Sequence, residues 1–306
     1  MDEPMREQAA VLALVRVSRG EWYQTADVIS EAGSALRLLR GEPVILPAER
    51  QQYARELAAR VGPADVSQAQ TLIEHVTAQG ARLITVLDED YPENLKLIFN
   101  RPPFVWVRGQ LEPRSLRAIA VVGTRQATGE GCATAARLAR GLAQARVTVL
   151  SGLARGIDTA AQAATIEAGG RTVAVVGTGI LAPVYPAENG DLAERIVESG
   201  GAIVSQFWPQ APPRKINFPR RNIVMSGMAA GTVVIEAAAT SGAKMQARLA
   251  LEHGKRLFLP ETLVAGQEWA RRYATRPGVT VVSDLSDILD ELVKVVEAPH
   301  QLTLSF

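Results

Sequence analysis

From Ala118 onward the chain alternates between two textures. Short β-branched, apolar runs (Ala118–Val122, Thr148–Leu150, Thr172–Val176, Ala202–Val204, Thr232–Ile235, Arg256–Leu259 and Thr280–Val282) are separated by small-residue stretches of helical character. Their starts lie about 24–30 residues apart, which is room for one strand, one crossover helix and two loops. Runs this uniformly apolar are buried on both faces, so they predict a doubly wound α/β fold on a mostly parallel sheet. The preceding residues differ in kind. Ala9–Val17 is apolar, and Thr25–Leu39 has helical spacing through Val28, Ile29, Ala32, Leu36 and Leu39. Ala48–Val61 is rich in Arg, Glu, Ala and Gln, and Ser67–Gln79 repeats the helical pattern. These stretches predict a small helical module over residues 1–80, an α/β domain over 81–292 and a loose tail over 293–306, with His300–Phe306 as its end. Arg82–Leu87 and Phe104–Arg108 are two further expected strands, set off by turns at Asp88–Pro92 and Asn100–Pro103.

Composition narrows the chemistry. Hydrophobic residues make up 47% and charged residues 21%, the makeup of a globular chain and not of a disordered one. Lys and Arg total 33 against 32 Asp and Glu, a net charge of +1, so a polyanion site must come from local clustering. One cysteine, Cys132, excludes a disulfide framework and a cysteine-built zinc site, and the three histidines have no metal-ligand spacing. No apolar run reaches the ~18 residues of a membrane helix, and the start at Met1-Asp-Glu-Pro4 is not that of a signal peptide. The expectation is a soluble protein of the reducing cytoplasm.

In an open parallel sheet, ligands bind beyond the carboxyl ends of the strands. The first such loop runs from Val122 to Gly131. Gly123 is expected to allow a tight turn, Thr124 offers a hydroxyl, Arg125 offers a fork of donors, and Gly129 and Gly131 open a helix, together an anion cradle. The pattern is not G-x-G-x-x-G, and Ser151 and Gly152 stand where a ribose-binding acid would close the second strand, so a dinucleotide site is not expected. The second loop, Ser151–Asp158, brings backbone donors around Gly152 towards a ligand. Asp158 is placed to orient a neighbour, and Arg155 either faces an anion or pairs with Asp158. In the third loop Tyr185 and Pro186 read as structural and Asn189 as a helix cap.

The fourth connection, Gln206–Asn222, holds four prolines and three aromatic residues and is expected to be long, ordered and non-helical. It carries Arg214, Lys215, Arg220 and Arg221 among Phe207, Trp208 and Phe218. Basic groups track phosphates, and an exposed ring stacks an unpaired base at roughly 1–3 kcal/mol. Phe207 and Trp208 are assigned to packing, and Lys215 and Phe218 to function; the competing reading packs the rings and leaves the arginines solvated. The sequence contains no Ser/His/Asp arrangement, HExxH motif or Walker lysine loop. Glu236 is expected to brace loops. No catalytic residue, metal or cofactor is expected.

The motif series resembles the DNA processing protein A family (DprA, also called Smf), a branch of the extended Rossmann superfamily. The likeness runs from about Asp88 to Leu289. Its marks are Asp90–Asn94 with Pro103–Gly109, Val122–Arg125, Ser151–Ala161, Gly170–Gly179 with Val184-Tyr-Pro and Asn189, Asn217–Asn222, and Glu236-Ala with Ser241-Gly. The resemblance implies a non-enzymatic, homodimeric protein that binds single-stranded DNA, protects incoming strands in natural transformation and helps load the RecA recombinase. By motif position, Arg125 and Lys215 would hold phosphates and Phe218 would stack on a base. Thr124, Gly152 and Asn222 would line the pocket, assisted by Arg220 and Arg221. Three departures stand out: Gln162 where many members have His, Lys244-Met245 after Ser-Gly, and Gly266–Trp269 in place of a Gly-Thr-Asn loop. The winged-helix domain of many members is not expected here. These departures keep open a nucleotide-sensing or toxin-neutralising subunit of a defence system. A phosphoribohydrolase lacks its motif, with Pro260-Glu-Thr-Leu263 in that place.

Overall fold

The computed structural model describes residues 3–112 and 116–301. Five helices lead: α1 (Glu3–Val17), α2 (Trp22–Ala32), α3 (Ala35–Leu39), α4 (Ala48–Ala59) and α5 (Pro63–Ala78). Then follow β1 (Ala81–Thr85), α6 (Glu93–Lys96), β2 (Phe104–Gly109), β3 (Ala118–Val122), α7 (Gly129–Gln144), β4 (Thr148–Ser151), α8 (Ile157–Glu167) and β5 (Thr172–Val175). A 3₁₀ turn at Ala187–Asn189 enters α9 (Gly190–Glu198), followed by β6 (Ala202–Ser205), α10 (Asn217–Met228), β7 (Gly231–Val234), α11 (Gly242–Glu252) and β8 (Arg256–Pro260). The chain continues through α12 (Glu261–Gly266), α13 (Glu268–Ala274), β9 (Val279–Val282) and α14 (Leu285–Gln301).

The expected strands are all present. Thr25–Leu39, read as one helical stretch, is two helices: Gly33 takes a φ of 68° as the C-cap of α2, and Ser34 caps α3 by accepting from the Arg37 N–H. Helix α14 continues to Gln301, past the expected start of the tail at residue 293, and residues 302–306 lie outside the described residues.

The strands form one sheet in the order β1-β2-β6-β5-β4-β3-β7-β8-β9. From β6 to β9 every pairing is parallel, and β1 and β2 add antiparallel at one side. Chain order reverses at the β3–β7 pair, which opens a crevice between their carboxyl ends. Alternate residues of β3 feed opposite cores. Ile119 and Val121 pack with Leu142, Ile157 and Ile288, whereas Ala120 and Val122 pack with Val224, Met225 and Leu257. All five β3 residues are buried, as a strand covered on both faces requires.

The β1–β2 hairpin is likewise two-sided. Ile84, Val105 and Val107 join the sheet's core, while Leu83, Phe104 and Trp106 join the core of α1–α5. Trp269, in the altered loop, is fixed by its indole N–H donating to the Ala237 carbonyl at 3.1 Å, which gives that departure a packing role. Gln162 is also structural: it accepts from the Leu153 N–H and donates to Thr172 Oγ1.

Away from the crevice, the ring nitrogens of His253 meet Ser226 Oγ and Asn100 Oδ1, each at 2.9 Å. Burial, with Lys255 nearby, lowers the His253 pKa to about 4 from its ordinary value of 6.5. Between those values the unfolded chain binds the extra proton, so stability falls as pH drops from 6.5 to about 4. The thermal midpoint is expected to fall over that window, and His253→Gln to flatten the fall.

Candidate nucleic-acid interface

The crevice is built from loops that follow β3, β4 and β7 and from helices α10 and α11. The β3 loop is tied down at its root, where the Thr124 N–H donates to the Glu236 carbonyl at 2.7 Å. The Glu236 carboxylate then accepts from the Thr128 N–H and hydroxyl, at 3.0 and 3.1 Å, the bracing expected of it. Gly123 has a different task from the expected turn. A Cβ there would lie 2.3 Å from Ile157 Cγ1, so glycine lets α8 pack against the strand end. Thr124 is half-buried, and its hydroxyl accepts from the Gln126 N–H. Arg125 is exposed and holds its guanidinium 5.0 Å from the centre of the Phe218 ring.

The β4 loop departs from its expected role. Its backbone donors are used internally: the Gly152 and Ala154 N–H groups bond the Asp158 carboxylate, and the Leu153 N–H bonds Gln162. Arg155 neither faces an anion alone nor pairs with Asp158. It forms a two-pronged ion pair with Glu188, at 2.5 and 2.7 Å. Asn189 stands at the N-cap position of α9 without capping it, and donates instead to the Leu153 carbonyl and Thr159 Oγ1.

The proline-rich excursion is non-helical only to Ile216, because α10 begins at Asn217. Pro219 falls in the first turn, where its missing N–H breaks no helical bond. The arm is pinned at both ends. Phe207 is buried, and the Trp208 ring packs 5.6 Å from that of Phe104. At the far end Asn217 donates to the Gly177 and Pro212 carbonyls. Gly179 lets the arm approach, since a Cβ there would meet the Trp208 and Pro209 carbonyls at 2.2 Å.

Helix α10 then presents Phe218, Arg221, Asn222 and Met225 on one stripe, at i, i+3, i+4 and i+7. With Thr124, Arg125 and the start of α11 at Ser241–Ala243, this stripe lines a cleft of about 470 Å³. A smaller chamber shares Arg125, Phe218 and Arg221 and adds Gly152, Tyr185 and Pro186. Thr124, Arg125, Gly152, Phe218, Arg221 and Asn222 therefore meet. Lys215 and Arg220 are exposed on the same arm and helix but line neither space. Tyr185, assigned from sequence to structure alone, lines the smaller chamber; the only sequence signal for it was an aromatic residue in a loop beyond a strand's carboxyl end.

Arg221, expected to assist at the pocket, is not the solvated cation of the competing reading. It is buried, donates to the Val175 carbonyl at 2.8 Å and leaves its Nε–H without a partner. It sits directly over Gly152. Burial lowers the Arg221 pKa, Asp158 opposes that effect and the charge of Arg125 adds to it. Burial raises the Asp158 carboxyl, with Arg221 and the loop N–H groups pulling the other way. Asn222, also buried, donates to the Gly242 carbonyl at 3.4 Å and so joins α10 to α11. Among the described residues, Arg125, Arg214, Lys215 and Arg220 have no carboxylate within 4.0 Å. Positive potential is thus uncompensated beside a partly open aromatic ring. No cluster of three or more His, Cys, Asp or Glu side chains suited to a metal occurs among the described residues, and no helix there is long and apolar enough to cross a membrane.

A family model described as DNA recombination-mediator protein A matches residues 82–293. The chain belongs to this family. Protein Smf of Escherichia coli is 36% identical over 211 residues, covering 69% of this chain and 56% of that protein. The match thus spans little more than half of the Escherichia coli relative. DNA processing protein DprA of Streptococcus pneumoniae is 33% identical over 208 residues, covering 68% of this chain and 73% of the relative. The X-ray structure of the Streptococcus pneumoniae DprA superposes with a TM-score of 0.70 at 26% identity, over 91% of this chain and 95% of that one. DNA processing protein A from Helicobacter pylori shares the fold, with a TM-score of 0.60 at 22% identity over 70% of this chain and 96% of its own. The expected family and the doubly wound α/β fold are both borne out.

Proposed function

We propose that this DNA recombination-mediator family member binds single-stranded DNA at the crevice between β3 and β7. In this reading it shields incoming strands as a cytoplasmic homodimer and passes them to the RecA recombinase, by binding and without turnover. The observation that carries the DNA reading is the carboxylate-free Arg125 over the Phe218 ring in a cleft at the sheet edge where this fold takes its ligands, with exposed Lys215 and Arg220 on the adjoining arm and helix. The Helicobacter pylori protein of this fold has a described single-stranded DNA binding mode, which supports the same reading. The family's description as a recombination mediator supports the handover to a recombinase. Arg125 and Lys215 would contact phosphates, Phe218 would stack on a base, and Thr124, Asn222 and Arg220 would shape or flank the path. Gly152 and Arg221 would act by holding the floor of the cleft.

Titration of the full chain with oligo-dT and with duplex DNA over a range of salt tests this. Preference for the single strand is expected, with log K falling against log salt by about 0.7 per neutralised phosphate. Equal affinity for duplex, or no salt dependence, overturns the proposal. Phe218→Ala should weaken oligo-dT binding about 5- to 50-fold and leave the salt slope unchanged, because stacking releases no counterions. A tightly held mononucleotide in a protein that ignores oligonucleotides would favour the sensing role.

A further inference from the structure

Resting on the single-strand reading of the cleft, we infer that Tyr185 is a second base-stacking platform beside Phe218. Two tyrosines, Tyr91 and Tyr53, have their hydroxyls engaged inside the protein: Tyr91 is fully buried and donates to the Pro102 carbonyl, and Tyr53 bonds Thr25 Oγ1. Tyr185 is 44% exposed, and its hydroxyl has no partner among the described residues. Its ring lies 5.7 Å from that of Phe218 at an interplanar angle of 45°. Rings at that separation already touch, so no base fits between them. Each can only offer its outer surface.

Phe218 is the less open of the two, its ring half-buried. Gly177 lies beneath it, where a Cβ would come within 2.9 Å of the ring, and the Arg125 guanidinium lies over it. Tyr185 is the more open of the two rings and lines the smaller chamber with Arg125, Arg155 and Arg221. The fork of Arg155 is held by Glu188, which leaves Arg125 as the exposed donor towards a phosphate at that spot. Two platforms tilted by 45° cannot hold neighbouring bases parallel. The strand is therefore splayed between the nucleotides on Tyr185 and Phe218, a shape that a paired duplex cannot take.

The test compares Tyr185→Ala, Tyr185→Leu and Tyr185→Phe by oligo-dT titration over a range of salt, with thermal midpoints as a folding check. Ala and Leu should each weaken binding about 5- to 100-fold at unchanged salt slope, and Phe should retain full affinity. Leucine keeps apolar bulk, so it separates loss of an aromatic face from loss of packing, and it stands in if the alanine variant does not fold. Full affinity in Tyr185→Leu, or a loss in Tyr185→Phe equal to that in alanine, overturns the assignment. Failure of the unsubstituted protein to bind oligo-dT instead overturns the reading of the whole cleft.

Discussion

Replacing Arg125 and Lys215 together with alanine is expected to lower affinity for oligo-dT about 30- to 150-fold, at roughly 1–1.5 kcal/mol for each charged contact. The slope of log K against log salt should shrink by about 1.4, since two phosphates lose their neutralising partners. Neither side chain spends its charge inside the protein. Lys215 is exposed on the arm with no carboxylate near it, and Arg125 rests on an aromatic ring that attracts it weakly by comparison with a phosphate. Little folding stability should therefore be lost, and the thermal midpoint should stay near that of the unsubstituted protein. Anisotropy titrations at four or five salt concentrations decide the matter. A double variant that binds as well as its parent would leave the cleft without its proposed ligand.

Gly152→Ala should be the most damaging single methyl group in the site. A Cβ at that position would lie 1.5 Å from a terminal guanidinium nitrogen of Arg221, so the guanidinium has to leave its seat. The backbone itself is no obstacle, because Gly152 is not among the residues of positive φ. Displacement breaks the hydrogen bond to the Val175 carbonyl and strips Asp158 of the charge that offsets its burial. Breaking a buried charge arrangement by disturbing one member typically costs about 3–5 kcal/mol, and we expect about 3 kcal/mol because Arg221 and Asp158 oppose each other without direct contact. The midpoint should fall by roughly 5 °C. Adding Arg221→Met should return part of that loss, since methionine vacates the space and carries no charge to bury. Scanning calorimetry of the two variants checks both expectations, and an unshifted midpoint in Gly152→Ala would show that Arg221 is not seated as described.

Most of the sheet was legible because a strand buried on both faces must be apolar throughout, and that texture survives without tertiary knowledge. The carboxyl-edge loops were legible for the same reason: once the strands are placed, the segments following them are placed as well. What escaped was set by partners distant in sequence. Arg155 pairs with Glu188, thirty-three positions on, and no local pattern links them. The sequence groups Arg221 with Arg220 as an assistant at the pocket, yet the two point to different sides of α10, and only the empty space above Gly152 admits the second guanidinium. The start of α10 was obscured by Pro219, a residue that reads as a breaker but is tolerated in a first turn. The division between α2 and α3 was written in the Gly33-Ser34 pair and was outweighed by helical spacing on both sides of it.

The two-sided β1–β2 hairpin has a consequence for any attempt to dissect the protein. Cutting the chain after Gly80 would strip the cover from Leu83, Phe104 and Trp106, turning an interior partition into an outer skin with two of the largest rings in the molecule laid bare. Trp208 leans on the same partition, so the root of the cationic arm would lose its footing together with the helices. The leading eighty residues thus serve as a foundation for the proposed DNA-facing surface although none of them lines its cleft.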